Sequence, residues 1–381
     1  MNENSGNPLC PEALHYLEEV IGEDPPRQNA FRVLGLSVFD DVRAIRRREQ
    51  MLSARRFKSS GNALGGPLPL REQATAHQVA QAVHRLRSPA CRLVDELFWF
   101  WPDQALPSLA RHPQQVLRRW SDQEKLPSAW QATHNLGVFY LTKAIDYESQ
   151  AIVADQPLTE KQSAACIECW KRAIRRWREL QQRHAMWQQY QIRVKHFNDP
   201  RFPEAAIVAI RHALDEILLR GLFTLVIRAA RSERSAQFNR CLQLLERAGF
   251  DESLRLSIGR KLLSPLAGEI QLLIESTERA VSQHPQSGTQ HVRELVDKTE
   301  TMIRLFDTVL PEGDMLTRAV CDEFCVALLG FQVRCTRVTD DWRDALASLR
   351  AIQPLARSQK VRDRLDENID IVKNNLRGDL R

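Results

Sequence analysis

The sequence predicts an all-α fold, and three observations lead to that prediction. Apolar residues recur every three or four positions over long stretches, as in Ile207, Ile210 and Leu214, and this period places them on one helix face. No stretch alternates apolar and polar residues between Asn-Gly or Asp-Gly turns, as a β-hairpin would. Proline and glycine fall where helices are expected to end. We expect about 70% helix, roughly double the usual fraction.

The composition is that of a globular protein. Hydrophobic residues make up 43% and charged residues 27% of the 381 positions, which is too apolar for a disordered chain. Eight cysteines are too few for a disulfide scaffold. The net charge of +6 is mild for this length, and it is compatible with an acidic partner or a phosphate backbone without requiring either.

The expected location is the cytoplasm, with reduced thiols. The opening residues lack the basic region and apolar core of a secretory signal. No apolar run approaches the roughly 20 residues that a membrane-spanning helix needs. We therefore expect no membrane span.

Helix-breaking residues divide the chain into four predicted segments. A pair of prolines separates an N-terminal extension, 1–25, from a compact region of four short helices, 26–102. Further prolines enclose a hinge segment with one short helix, 103–126. The remainder, 127–376, has the pattern of paired helices joined by short polar loops.

The longest of these segments partly resembles a tetratricopeptide-repeat array. Leu136, Gly137 and Tyr140 match the Leu-Gly-x-x-Tyr core of that repeat, in which glycine lets the paired helix approach closely. Thr133 stands where the repeat usually has tryptophan, and the helices are too long for its period of about 34 residues. We therefore expect an irregular α-solenoid, a helical-repeat body. Thr159–Gln162 fits a capping box at the start of one of its helices.

Two helices of the compact region have matching apolar faces. Val42, Ile45 and Leu52 share one face of its second helix, and Val79, Val83 and Leu86 share one face of its third. Packed antiparallel, these faces make the core of a small helical hairpin module.

Four landmarks of a known family occur in order within this region. Residues 29–36 read Asn-Ala-Phe-Arg-Val-Leu-Gly-Leu, a basic helix is expected over 41–57 and another helix over 71–87, and residues 86–92 read Leu-Arg-Ser-Pro-Ala-Cys-Arg. Residues 29–95 thereby resemble a J-domain, the co-chaperone module of the DnaJ family, with its Tyr-x-x-Leu-Gly-Val opening and Leu-Ser-Asp-Pro-x-x-Arg closure. The resemblance implies that the basic helix docks on an acidic surface of a DnaK-like chaperone.

One functional motif of that family is missing. J-domains stimulate ATP hydrolysis through a His-Pro-Asp tripeptide after the second helix, whereas residues 53–60 read Ser-Ala-Arg-Arg-Phe-Lys-Ser-Ser and residues 61–69 contain neither His nor Asp. The resemblance therefore implies docking without ATPase stimulation. The residues expected to bind the partner are Arg43, Arg46, Arg47, Arg48, Arg55, Arg56 and Lys58.

A run of aromatic residues ends the expected fourth helix, 93–101. Its members are Phe98, Trp99, Phe100 and Trp101. Four adjacent aromatic side chains cannot all face the interior of so small a module, so we expect some of them to pack on the downstream helices and join the two regions. An exposed anchor for a partner or a membrane is the alternative.

A second basic helix suggests an alternative function. Tryptophan and arginine interleave over 170–187, and arginine there would neutralise phosphates while tryptophan stacks on bases. The same spacing is typical of an amphipathic helix with a buried tryptophan face. A nucleic-acid-binding subunit using the helices at 43–58 and 170–187 is therefore the alternative. Its candidate residues in the second helix are Lys171, Arg172, Arg175, Arg176 and Arg178.

The sequence shows no catalytic constellation. Cys166 and Cys169, with Cys321 and Cys325, would supply four zinc ligands, but cysteines within a helical pattern are expected to act as small apolar packing residues. No P-loop, His-Glu-x-x-His or Gly-x-Ser-x-Gly motif occurs. We therefore predict a protein that is not an enzyme and holds no cofactor or metal. It is expected to be a co-chaperone-like adaptor that binds a partner protein, a DnaK-like chaperone or another ATPase, within a larger assembly.

Overall fold

The structure of the chain, a computed structural model, is all-helical in the part that it describes. The described residues are 28–54, 67–70, 74–126, 129–153, 156–198, 204–232, 235–311 and 313–378. Within them the regular elements are sixteen α-helices and three short 3-10 helices, so the predicted all-α fold is confirmed. None of the described helices is both long enough and apolar enough to cross a membrane.

The α-helices are numbered here in chain order. They are α1 (Ala30–Leu34), α2 (Val42–Ala54), α3 (Ala76–Arg87), α4 (Pro89–Leu97), α5 (Pro113–Gln123), α6 (Trp130–Val153), α7 (Glu160–Gln182), α8 (His184–Phe197), α9 (Glu204–His212), α10 (Leu214–Arg231), α11 (Ser235–Arg247), α12 (Glu252–Gln283), α13 (Gly288–Val309), α14 (Met315–Thr339), α15 (Trp342–Ile352) and α16 (Gln359–Gly378).

Two compact units make up the chain, residues 1–222 and 223–381. The first unit includes the predicted 26–102 module, the 103–126 segment and the start of the helical body. The division falls inside α10. Gly221 lies beside the division, but the helix continues through it.

Local sequence sets the ends of the short helices in the first unit. Asn29 caps α1, since its side-chain oxygen accepts two backbone N–H groups at 3.1 and 3.2 Å. Gly35 ends the same helix in the left-handed region, with φ of 65°. Thr75 and Gln78 form a capping box at the start of α3, and Pro89 occupies the first turn of α4. These residues fix the ends of α1, α3 and α4.

The predicted hairpin core of α2 and α3 is present, with one correction. Ile45, Val83 and Leu86 are buried as expected. Val42, expected on the same face, is instead 54% exposed. The buried side of α2 is centred on Ile45, and at about 100° per residue Val42 lies at the edge of the helix, toward the solvent side that carries Arg46.

The long helices α6 and α7 form an antiparallel pair. The predicted capping box of α7 is confirmed, because the hydroxyl of Thr159 accepts the N–H of Gln162 at 3.3 Å and the Gln162 side chain accepts the N–H of Thr159 at 3.0 Å. The paired helix is in contact at Gly137, but not closely enough to exclude a side chain. A Cβ there would lie 3.5 Å from Trp177 and 3.6 Å from Arg176, which are ordinary contact distances. The pairing of α6 with α7 therefore does not require glycine at this position.

Two glycines of the second unit do require their lack of a side chain. A Cβ at Gly259 in α12 would lie 2.6 Å from Cγ1 of Val309. A Cβ at Gly288, at the start of α13, would overlap the sulfur of Cys335 in α14. Tight packing of α12, α13 and α14 thus depends on glycine at both contacts.

We predict opposite effects of alanine at two glycines of the same helix. Gly259→Ala should lower the free energy of unfolding by about 1–3 kcal/mol, since the new methyl group overpacks against Val309. Gly268→Ala, where no atom lies within 4 Å of the new Cβ, should raise it by about 0.5–1 kcal/mol because alanine favours helix. Chemical denaturation measures both. Equal effects of the two changes would contradict the packing described for α12.

Candidate interaction surface and its buried support

Helix α2 carries three of its four basic residues on one exposed side. Arg43, Arg46 and Arg47 are all exposed, and at about 100° per residue they lie within an arc of about 100°. In the described part of the chain none of these three side chains forms an ion pair. The nearest acids in the sequence are engaged elsewhere, because Asp41 accepts the N–H of Ala44 at 2.8 Å and Glu49 pairs with an arginine of α3 at 2.7 Å.

The other predicted docking residues do not belong to this exposed group. Arg48 is half-buried, and its Nε donates to the backbone oxygen of Leu34 at 2.5 Å. This bond fixes α2 against the end of α1, so Arg48 has a structural role there. Arg55, Arg56 and Lys58 lie outside the described residues. The basic surface of α2 is therefore defined here by Arg43, Arg46 and Arg47.

The loop before α2 is held by a buried charge cluster. Glu96, at the end of α4, is completely buried and accepts hydrogen bonds from Arg92 at 3.0 Å and from Arg193 at 2.6 and 3.0 Å. Arg92 also donates to the backbone oxygens of Val38 and Asp40 at 3.0 and 2.8 Å. A buried carboxylate is stable only when paired and hydrogen-bonded. Glu96 thereby joins α4, α8 and the loop that leads into α2.

A second buried carboxylate holds α3 against α4. Asp95 accepts two hydrogen bonds from Arg85, each of 2.9 Å. Burial raises the pKa of Asp95 to about 6, although the positive charge of Arg85 opposes the rise. The backbone oxygen of Asp95 also accepts from the Asn29 side chain at 2.7 Å. The N-terminal cap of α1 is thus tied to the same helix.

All four residues of the aromatic run are buried. The expected helix over 93–101 ends at Leu97, and the turn and bend that follow let successive side chains point in different directions. Phe98 contacts a tryptophan of α7, Phe100 one of α5, and Trp101 one of α6, with ring centroids 5.3, 6.0 and 5.1 Å apart. The run enters a core that extends beyond the module, so none of its members is exposed as an anchor.

Backbone hydrogen bonds fix the end of this run. The amide side chain of Asn135 exchanges two hydrogen bonds, each of 2.9 Å, with the backbone of Trp101. The indole of Trp99 donates to the backbone oxygen of Leu36 at 3.1 Å. The run therefore connects the loop after α1 to α6 within the first unit.

Most of the second basic helix is neutralised internally. Arg176 is only 3% exposed and makes a bidentate pair with Glu124 at 2.9 and 3.0 Å. Arg172 pairs with a glutamate of its own helix at 2.6 Å, and Arg178 pairs with an aspartate of α10 at 3.1 Å. The two tryptophans of α7 are fully buried, so they present no face for stacking on bases.

Two basic residues of α7 remain on the surface. Lys171 and Arg175 are exposed, and neither forms an ion pair within the described ranges. They are four residues apart, as Arg43 and Arg47 are in α2. The residues predicted to bind nucleic acid thus divide into three that are paired and two that are open to solvent.

The cysteines named as zinc ligands are packing residues in the structure. Cys166 is buried, and its thiol donates to Glu148 at 3.2 Å. Burial raises the pKa of Cys169 and Cys321 to about 11 and that of Cys325 to about 12, which favours the neutral thiol. No group of three or more His, Cys, Asp or Glu side chains in the described residues is arranged to hold a metal ion.

Two features of the first unit have no counterpart among the predicted sites. One is a cleft of about 330 Å³ lined by residues of α7, α8 and α9, among them His184, Trp187 and His212. The other is the exposed ring of Phe39 in the loop before α2. The sequence signal for Phe39 was an aromatic residue three positions before a basic helix.

Comparison of this chain with known protein families, curated proteins and solved structures gives no match. The function is therefore argued from the geometry of the described residues.

A buried histidine, His134, provides a test of the core between α4 and α6. His134 of α6 is completely buried, its Nε2 donates to the backbone oxygen of Leu97 at 2.8 Å, and burial lowers its pKa to about 4. Because the folded-state pKa lies below the ordinary value, the stability that this neutral histidine contributes is present above about pH 6.5. It is lost as the pH falls through that value toward 4, by up to about 3 kcal/mol.

We predict that His134→Gln removes this pH dependence, since the amide still donates to Leu97 but does not titrate. Between pH 7 and pH 4 the difference in unfolding free energy should shift in favour of the variant by up to about 3 kcal/mol. Comparing the two proteins cancels other groups, including Asp95, whose raised pKa acts in the opposite direction. Denaturation at several pH values measures the difference, with His112→Gln at an exposed site as control. A difference that stays constant over this range would show that His134 does not act this way.

Proposed function

We propose that this chain is a non-enzymatic, protein-binding adaptor that docks through α2 on an acidic surface of a DnaK-like chaperone or a related ATPase. The observation that supports it most directly is the exposed side of α2, where none of Arg43, Arg46 and Arg47 forms an ion pair within the described residues. In this role the chain works in the cytoplasm beside that ATPase.

The arrangement of charge in α2 is unfavourable for the isolated protein. Arg43 and Arg47 are one helical turn apart and repel each other by a few tenths of a kcal/mol. Asp41, directly before α2, caps the helix by accepting the N–H of Ala44 and offsets its dipole, so the cost that remains is the repulsion among the exposed arginines. A partner with an acidic surface would relieve this repulsion and attract this face over a distance.

The resemblance to a J-domain indicates the class of partner, a DnaK-like chaperone. In that family the second helix is the docking element, and α2 occupies that place in the order of helices. The sequence after α2 lacks His-Pro-Asp, so the proposed role is to bind the ATPase and hold it in an assembly rather than to accelerate its hydrolysis of ATP.

Nucleic-acid binding is the weaker alternative, because three of its five candidate residues in α7 are engaged with carboxylates. It differs from protein docking in a measurable way. Binding to a phosphate backbone weakens steeply with salt, in proportion to the number of phosphates neutralised.

We predict that Arg43→Glu/Arg47→Glu weakens binding to a purified DnaK-type chaperone by about tenfold or more, mainly through slower association, since exposed charges act on encounter. The fold should survive, because a glutamate in the first turn of α2 suits the helix dipole. Surface plasmon resonance gives the rates, and circular dichroism checks the fold.

The matched control is Lys171→Glu/Arg175→Glu, which reverses two exposed charges at the same spacing on α7. It should leave chaperone binding unchanged. If both double variants bind the chaperone as well as the wild type does, α2 is not the docking element. If the wild type binds DNA or RNA and the α7 variant alone loses that binding, the nucleic-acid alternative replaces the proposal.

We also predict that the protein leaves the ATP turnover of a DnaK-type chaperone unchanged. The motivation is the absence of His-Pro-Asp between Met51 and Pro69. A single-turnover assay with the full chain measures the rate, and a J-domain protein that carries the tripeptide is the positive control. Several-fold stimulation by this chain would show that another segment replaces the motif.

A further inference from the structure

Phe39 is an exposed aromatic residue in the loop that connects α1 to α2. The other apolar residues of this loop, Leu36 and Val38, are both buried. Phe39 is nevertheless 56% exposed. A large aromatic ring on the surface buries more apolar area on contact than most side chains, so its position is informative.

The backbone around Phe39 is held in place. The Asp40 side chain accepts the N–H of Ser37 at 2.7 Å, and the N–H of Asp40 donates to the backbone oxygen of Ser37 at 3.0 Å. Arg92, itself paired with buried Glu96, donates to the backbone oxygens on both sides of Phe39. The exposed ring is therefore preorganised, and binding through it would cost little conformational entropy.

One part of the Phe39 ring is supported from below. Its centroid lies 5.7 Å from that of Trp101 in an edge-on arrangement and 5.6 Å from the guanidinium carbon of Arg193. These contacts orient the ring, and more than half of its surface stays open to solvent. The open part faces away from the core that holds Trp101.

Phe39 lies three residues before α2, whose exposed side carries further apolar residues beside the basic surface. Val42, the first residue of α2, is 54% exposed, and Met51 is 47% exposed at the other edge of the same helix side. Between them lie the exposed arginines of the basic surface. Exposed aromatic and apolar residues next to arginine have the composition of an interface centre with a charged rim.

We infer that Phe39, together with Val42, is the apolar anchor of the docking surface on α2, and that the docked partner is a protein whose acidic surface surrounds an apolar depression that receives this ring. Charge complementarity with Arg43, Arg46 and Arg47 sets the acidic character of the partner. This inference rests on the proposed function and adds the residue that retains the partner after encounter.

The apolar anchor at Phe39 and the surrounding arginines should affect different rate constants. Exposed charges mainly change the rate of association and its dependence on salt. A buried aromatic anchor mainly changes the rate of release, because its contacts exist only in the docked complex. Phe39→Ala and Arg43→Glu/Arg47→Glu should therefore weaken binding in different ways.

The experiment measures binding of the full chain to a purified DnaK-type chaperone at several salt concentrations. Phe39→Ala should release the chaperone about tenfold faster or more, with the salt dependence of association unchanged. Leu126→Ala, which truncates another exposed apolar residue of the first unit, is the matched control and should bind as the wild type does. A photo-crosslinking phenylalanine analogue at position 39 should crosslink to the chaperone, and it tests contact without truncating the ring.

The outcomes separate this inference from the proposed function. If the charge-reversed variant binds weakly while Phe39→Ala releases at the wild-type rate and position 39 gives no crosslink, docking stands and the anchor is wrong. If the charge-reversed variant binds normally, or the wild type does not bind the chaperone, the proposed function is wrong and the inference is overturned with it. If Phe39→Ala unfolds, the crosslink decides, since its absence alone contradicts the anchor.

Discussion

The carboxylate of Glu96 lies in the core of the first unit, where an unpaired charge would cost several kcal/mol. Arg92 and Arg193 neutralise it, and each also contacts the loop that carries Phe39. Arg92 fixes the backbone on both sides of Phe39, while Arg193 lies against the ring itself. The loop that carries Phe39, part of the proposed docking surface, is thus held in place from within the core by a buried ionic cluster. Removing one partner would leave a buried charge without compensation, so the three residues behave as one structural unit.

Arginine has two roles in this unit, and the sequence alone does not distinguish them. Arg32 and Arg176 are buried and bind Asp146 and Glu124, residues far away in the chain. Arg43 lies in an equally basic stretch but points to solvent. What separates them is whether folding brings a carboxylate opposite the guanidinium. Clusters of arginine in a sequence therefore indicate interaction surfaces only after the internally paired members have been removed.

Local patterns predicted the fold class and helix ends, whereas long-range contacts set the features that were mispredicted. The capping box at Thr159 depends on four adjacent residues and could be read directly. The end of α4 at Leu97 could not, because the backbone of Trp101 is held by Asn135 of another helix. The exposed positions of Arg43, Arg46 and Arg47 follow from the helical period of α2, but the structural role of Arg48 depends on a carbonyl of α1. Periodicity reports which side of a helix is apolar, and it does not report what covers that side.

The contact between Gly288 and Cys335 makes two distant positions share one volume. The sulfur of Cys335 occupies the space that a methyl group on residue 288 would need. A larger residue at either position is therefore compatible with this packing only if the other becomes smaller or the helices move apart. In related sequences these positions should vary together or not at all. The sizes of the two residues would then indicate whether α13 and α14 keep the same spacing.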